Sequence, residues 1–159
     1  MKVCPYLDSN PNGKTIVIAY DVDGTLWLGN PAGKVTKEMI DSCRWAAIQG
    51  IVSGRADAAD IAKNLELDFG LTGGTDALLR VKNELYPNKK LYIHVADTYA
   101  DEVEAKNANW DFIYACDFEG CLTQEQYQRR IVVDACMRVG IAFSPLAMLG
   151  LAIWLVKKS

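Results

Sequence analysis

The sequence contains little of the chemistry that builds metal–thiolate sites or histidine-based triads. It has one histidine, His94, inside the apolar run "LYIHVAD", and it has no Cys-x-x-Cys pair. Zinc sites need several such ligands and a triad needs an available histidine, so we expect His94 to be structural. The cysteines are odd in number and scattered, which argues against a disulfide scaffold and for a reducing compartment. They are Cys4, Cys43, Cys116, Cys121 and Cys136.

An excess of positive charge is also absent. The net charge of −3 offers no basic patch for nucleic acid. Residues 1–14 lack the apolar core of a secretory signal and are rich in proline, asparagine and glycine. They predict an N-terminal loop and a cytoplasmic protein.

Charged residues are missing from one further stretch, "VGIAFSPLAMLGLAIWLV" at 139–156. Arginines precede this run and two lysines follow it. Its length is at the lower limit for a membrane-spanning helix, about 17–25 residues, and favours an anchor at the cytoplasmic face of a membrane. A buried core helix and a helix that pairs with another protein are the alternatives for 139–159.

Strands and helices alternate along residues 15–138. Apolar runs such as "IVIAY" and "LYIHVA" predict buried strands, and "VTKEMIDSCRWAA" predicts a helix with Thr36 as its N-cap. The alternation predicts one α/β domain with a doubly wound, mostly parallel sheet. The interval 24–52 has room for only a loop, a helix and a strand, so we expect no cap domain.

Polar side chains follow three of the predicted strands. Asp21 and Asp23 follow the first, Ser53 follows the second, and Asp97 with Asp101 follows "LYIHVA". Ligands bind at the carboxyl ends of strands in open α/β sheets. Carboxylates from separate strands suit Mg²⁺, and the hydroxyl and amides of "SGR" suit a phosphate oxygen, so the pattern predicts phosphoryl transfer. An Asp-Gly turn and helix-capping roles for Ser53 and Asp97 are the structural alternatives.

Three segments together resemble the motifs of the haloacid dehalogenase superfamily of phosphohydrolases. They are "IVIAYDVDGTL", "IVSGR" and "HVADTYADEVEAKNANW", and the resemblance covers roughly residues 15–118. The resemblance implies a Rossmann-like core and hydrolysis of a phosphorylated substrate, small or macromolecular, at an open site.

The resemblance also implies catalytic and metal-binding roles for individual carboxylates. Asp21 corresponds to the nucleophile that forms an aspartyl-phosphate, and Asp23 corresponds to the acid/base. Asp97 corresponds to the Mg²⁺ carboxylate, joined by Asp21 and the main-chain carbonyl of Asp23. Asp101 corresponds to the support of this Mg²⁺ site.

Phosphate binding is implied for two short segments. Ser53 and Gly54 correspond to the phosphate-binding hydroxyl and its neighbour. Gly24 and Thr25 would present the turn around the phosphate.

Two positions depart from the family pattern. Ala96 stands where the family usually has glycine, and "LTGGTDALLR" contains no lysine where the family places one. A cation held next to the phosphate in a site that excludes water stabilises the bound phosphate by roughly several kcal/mol. Lys82, about two turns further along, is the candidate replacement. The alternative is a catalytically weak or inactive domain that serves as a membrane-tethered or protein-binding module.

Overall fold

Five apolar segments form a single parallel sheet in the computed structural model, which describes residues 14–121. The central strand Ile16–Tyr20 is buried along its whole length, as expected for a strand covered on both faces. The strands are β1 (Ile16–Tyr20), β2 (Ala47–Ser53), β3 (Phe69–Thr72), β4 (Leu91–Ala96) and β5 (Asp111–Tyr114).

A helix follows each of the first four strands. The helices are α1 (Lys37–Cys43), α2 (Ala58–Asn64), α3 (Thr75–Arg80, continued by a π-helical turn at Val81–Leu85) and α4 (Tyr99–Asn107). Thr36 caps α1 as predicted, since its hydroxyl accepts a hydrogen bond from the Met39 amide at 3.4 Å. The helix is shorter than the predicted 35–47, because Ala47 already pairs with Ile16 as the first residue of β2.

The strand order is β3-β2-β1-β4-β5, and every pairing is parallel. One face of β1 packs with residues of α1 and α2, among them Ile40 and Ala62. The other face packs with residues of α3 and α4, among them Leu78 and Ala105. Helices therefore cover both faces, and the predicted α/β fold with a parallel sheet is confirmed.

The order of the strands reverses at β1. The chain moves outward from β1 through β2 to β3, then crosses back to β4 on the other side of β1. A crevice opens beyond the carboxyl ends of the strands at such a reversal, and ligands bind there in open α/β sheets. The fold thus places its crevice between the ends of β1, β2 and β4.

A disulfide joins Cys43 at the end of α1 to Cys121. The expectation of five unpaired thiols in a reducing compartment was therefore wrong for this pair. The two residues are 78 positions apart and share no spacing motif, so only the fold brings them together. The segment that carries Cys121 docks closely on α1, where the Cys121 amide donates to Ser42 Oγ at 2.9 Å. Phe118, in the same segment, packs edge-on against Tyr20 of β1.

The two terminal predictions fall outside the described residues. The loop at 1–14 is described only at Lys14, and neither the domain boundary at 138 nor the apolar run 139–156 is described. Among residues 14–121, no helix has the length and apolar character that crossing a membrane requires.

Candidate active site

Three carboxylates meet where β1 and β4 end side by side. The Asp21 amide donates to Val95 O at 3.0 Å, so the residue after β1 lies against the end of β4. Asp97 follows β4 directly, and Asp101 lies in the first turn of α4. One oxygen from each of Asp21, Asp97 and Asp101 lies within 4.8 Å of the others. Such a group of hard oxygen donors could hold a metal ion.

The turn after β1 depends on a glycine. Gly24 has a φ of +72°, and a Cβ at this position would lie 2.0 Å from Asp97 Oδ2. A side chain is therefore excluded both by the backbone and by the carboxylate. The next residue, Thr25, is fully buried and its hydroxyl is 3.4 Å from Asp97 Oδ1. Both residues predicted to surround the phosphate thus contact Asp97.

Asp101 also has a structural role at the start of α4. Thr98, and not Asp97, is the N-cap, and its hydroxyl accepts from the Asp101 amide at 3.2 Å. The Asp101 carboxylate in turn accepts from the Thr98 amide at 3.2 Å, which completes a capping box. The alternative prediction that Asp97 caps α4 was therefore wrong. Its carboxylate lies instead with those of Asp21 and Asp101.

A cavity of about 230 Å³ opens beside Asp21. Ser53 and Gly54, for which phosphate binding remains a prediction, line it from the end of β2. Sequence reasoning missed Glu104, although it lies one helical turn after Asp101, on the same face of α4. The lining residues are Asp21, Val52, Ser53, Gly54, Gly73, Gly74, His94, Asp101 and Glu104.

The cavity is acidic. Burial raises the pKa of Asp21 to about 6, and the charges of Asp101 and Asp97 add to this rise, while a hydrogen bond from Ser53 opposes it. Burial and the charge of Asp101 also raise the pKa of Glu104. None of the described residues that line the cavity is a lysine or arginine. A cation here would relieve the repulsion between the carboxylates, so the donor set fits a divalent metal.

The raised pKa of Asp21 predicts how stability changes with pH. The folded state binds this proton more tightly than the unfolded state, so the stabilisation is complete below about pH 4 and is lost as pH rises through about 6. Without divalent cations, Asp21→Asn should be more stable than the parent above pH 6 and equal to it near pH 4. Urea unfolding in chelator from pH 4 to 8 measures this, with exposed Asp111→Asn as the control. A gap that is the same at every pH would contradict the prediction.

His94 forms part of the cavity wall. It is 2 % exposed, and its Nδ1 lies 3.2 Å from Ala19 O, which agrees with the structural role predicted for it. Burial lowers its pKa to about 4, so the ring is neutral near pH 7. The sequence indicated a core position for His94 but not its proximity to Asp21.

Asp23 lies outside the set of residues that line the cavity. Its Oδ1 accepts hydrogen bonds from the Asn30 amide at 2.7 Å and from Arg55 Nη1 at 3.0 Å. The hydrogen bonds from Asn30 and Arg55 both lower the pKa of Asp23, and the one from the Asn30 amide has the larger effect. Arg55 stands directly after Ser53 and Gly54, and sequence reasoning gave it no role.

Lys82, the predicted replacement for the family's lysine, is not part of this group, so the structure does not bring it to Asp21. Its Nζ donates to Asn109 O at 2.6 Å and lies 5.0 Å from the centre of the Tyr92 ring. Tyr92 is near the beginning of β4 and Asn109 precedes β5, so Lys82 lies at the amino-terminal edge of the sheet. Asp21 follows the carboxyl-terminal end of β1, so Lys82 and Asp21 lie at opposite edges of the sheet.

Comparison of the chain with protein-family models, with curated proteins and with solved structures found no match. The carboxylate group, the cavity and the three sequence motifs are therefore the features from which a function can be inferred.

Proposed function

We propose that the domain is a Mg²⁺-dependent phosphohydrolase that resembles the haloacid dehalogenase superfamily. The observation that carries this proposal is the convergence of Asp21, Asp97 and Asp101 within 4.8 Å, at the point where the strand order reverses. The cavity next to Asp21 offers the Ser53 hydroxyl and the Gly54 backbone on its other side. A carboxylate nucleophile, a cation site and a polar pocket are the parts that phosphoryl transfer requires.

Asp21 and Asp23 carry the covalent chemistry in this proposal. A carboxylate oxygen of Asp21 attacks phosphorus, the bond to the leaving oxygen breaks, and the Asp23 carboxyl gives that oxygen a proton. Water then attacks the aspartyl-phosphate, Asp23 takes a proton from the water, and the bond from phosphorus to Asp21 breaks. The sum is a phosphate monoester and water converted to an alcohol and phosphate.

Mg²⁺ would be held by Asp21, Asp97 and the main-chain carbonyl of Asp23, with Asp101 supporting the site. When bound, it supplies charge neutralisation for the carboxylates and the phosphate. Thr25 lies 3.4 Å from one oxygen of Asp97, and the absence of a side chain on Gly24 leaves room for the other.

One observation favours a second candidate, a cation-binding module with weak or no hydrolytic activity. The family places its lysine within the segment that here reads "LTGGTDALLR", and a Glu104 oxygen lies 2.1 Å from the position of a Cβ on Gly74 of that segment. A carboxylate at this point opposes the binding of a phosphate dianion, because like charges repel. Binding of Mg²⁺ without turnover would support this candidate.

Hydrolysis of an aryl phosphate by the full chain tests the proposal. We expect phosphate release that requires Mg²⁺, stops in chelator, and falls on the order of 10³-fold or more in Asp21→Asn, which removes the nucleophile. Lys82→Ala is the matched control. It should keep its activity, because Lys82 contacts Asn109 and Tyr92 at the opposite edge of the sheet.

Activity that persists in chelator or in Asp21→Asn would contradict the proposal. A large loss of activity in Lys82→Ala would show that Lys82 takes part in the reaction and does not lie at the opposite edge of the sheet from Asp21. Calorimetric binding of Mg²⁺ by a chain that releases no phosphate would instead select the cation-binding module.

A further inference from the structure

Arg55 is held by an unusually complete set of contacts for a partly exposed arginine. Its Nε lies 2.8 Å from Asp57 Oδ1, and its Nη2 lies 2.6 Å from Asp57 Oδ2. This two-point pairing fixes the plane of the guanidinium group. The remaining terminal nitrogen, Nη1, lies 3.0 Å from Asp23 Oδ1. The Asp57 carboxylate therefore anchors Arg55, and Arg55 in turn holds the Asp23 carboxylate.

The backbone of Arg55 is anchored as well. Its carbonyl accepts from Thr72 Oγ1 at 2.9 Å, at the end of β3. Its amide lies 3.4 Å from Ser53 Oγ, at the end of β2. The side chain is 34 % exposed. The backbone carbonyl and amide of Arg55 are nevertheless both held by the last residues of strands.

Asp23 depends on these contacts for its position. Its side chain is 40 % exposed, so packing alone does not fix it. The hydrogen bonds from Asn30 and Arg55 both fall on Oδ1, and no hydrogen bond described within 14–121 falls on Oδ2. The carboxyl is thus held through one oxygen by Asn30 and Arg55, while the other oxygen is left for a proton transfer.

We infer that Arg55 is a positioning residue that holds the Asp23 carboxyl for proton exchange with the leaving oxygen and with water. This inference rests on the proposed function and goes beyond the sequence motifs, which gave Arg55 no role. Asp57 is the anchor of the arrangement, because its two oxygens orient the guanidinium group toward Asp23. Arg55 itself neither gains nor loses a proton in the reaction. Its contact favours the ionised form of Asp23, so what it contributes is the position of the carboxyl and not its protonation.

Two substrates with different leaving groups distinguish this role from a general structural one. Nitrophenolate leaves without a proton, whereas the oxygen of an alkyl phosphate needs one. In Arg55→Gln, we expect kcat/KM for the alkyl phosphate to fall on the order of 10- to 100-fold, and that for the nitrophenyl phosphate to change by less than about 3-fold. Asp57→Asn should lower the ratio of kcat/KM for the alkyl phosphate to kcat/KM for the nitrophenyl phosphate by a smaller factor. Arg55→Lys should lower this ratio less than Arg55→Gln does.

Asp23→Asn provides the reference for the same ratio. Combining it with Arg55→Gln should cost no more than Asp23→Asn alone, since Arg55 acts through Asp23. Arg80→Gln, which breaks an exposed ion pair with Glu84, is the arginine control and should leave both substrates unaffected. Melting temperatures verify that each variant is folded.

An equal fall on both substrates, or no fall on either, would overturn the inference and leave the phosphohydrolase proposal standing. Additive losses in the double variant would overturn it too. If the parent hydrolyses neither substrate, or if Asp21→Asn retains activity, the proposed function fails and the inference fails with it.

Discussion

Beryllofluoride with Mg²⁺ should raise the melting temperature of the chain, and Asp21→Asn should abolish the rise. Beryllofluoride on a carboxylate imitates a phosphoryl group, so it should bind at Asp21 within the group formed with Asp97 and Asp101. A ligand at a hundred times its Kd stabilises the folded state by about 2.7 kcal/mol. For chains of this size that corresponds to about 5–11 °C. Thermal melts monitored by circular dichroism measure it.

The control is Asp111→Asn, an exposed carboxylate at the amino-terminal end of β5, which should keep the full shift. A rise of the same size in Asp21→Asn would show that the ligand binds elsewhere. A parent with no rise would contradict Asp21 as the phosphoryl acceptor, independently of any turnover.

Removing the disulfide should have the largest effect on stability. Cross-linking residues 78 positions apart reduces the entropy of the unfolded chain and stabilises the fold by about 4 kcal/mol in the loop-closure account. Cys43→Ala combined with Cys121→Ala should therefore lower the free energy of unfolding by about that amount. Urea denaturation compares this double variant with the parent.

Cys116→Ala is the matched variant, because Cys116 is exposed and unbridged. It should unfold at the same urea concentration as the parent. A thiol reductant should lower the midpoint of the parent but not that of the double variant. A parent whose midpoint ignores the reductant would contradict the prediction.

The fold could be predicted from the sequence because its strands are buried on both faces. The run Ile16–Tyr20 has no polar residue to mark a solvent face, and only a parallel sheet covered by helices buries such a strand fully. The ends of helices were predicted less well. The residues after Cys43 have helical character, but pairing of β2 with β1 begins at Ala47 and takes precedence.

The carboxylate group could be predicted for a related reason. Asp21 and Asp97 come directly after strands, and the ends of neighbouring parallel strands must lie together. Glu104 was missed although its spacing from Asp101 places both on the same face of α4. Arg55 was missed because its contact with Asp23 depends on the direction of a long side chain, which no short spacing indicates. The position of Lys82 could not be predicted because the spacing of two turns does not say which way the helix runs, and α3 leads from Gly74 at the cavity toward Asn109 at the other edge of the sheet.

Within residues 14–121, the disulfide closes a covalent ring between Cys43 and Cys121 and leaves a tail that precedes the ring. Ser53, Asp97 and Asp101 belong to the ring, but Asp21 belongs to the tail, on a strand inserted between the ring strands β2 and β4. A single backbone cut between 44 and 120 would leave both pieces joined through sulfur. A single cut in the loop at 22–36 would leave the piece with β1 and Asp21 without a covalent link to the ring, held only by noncovalent contacts.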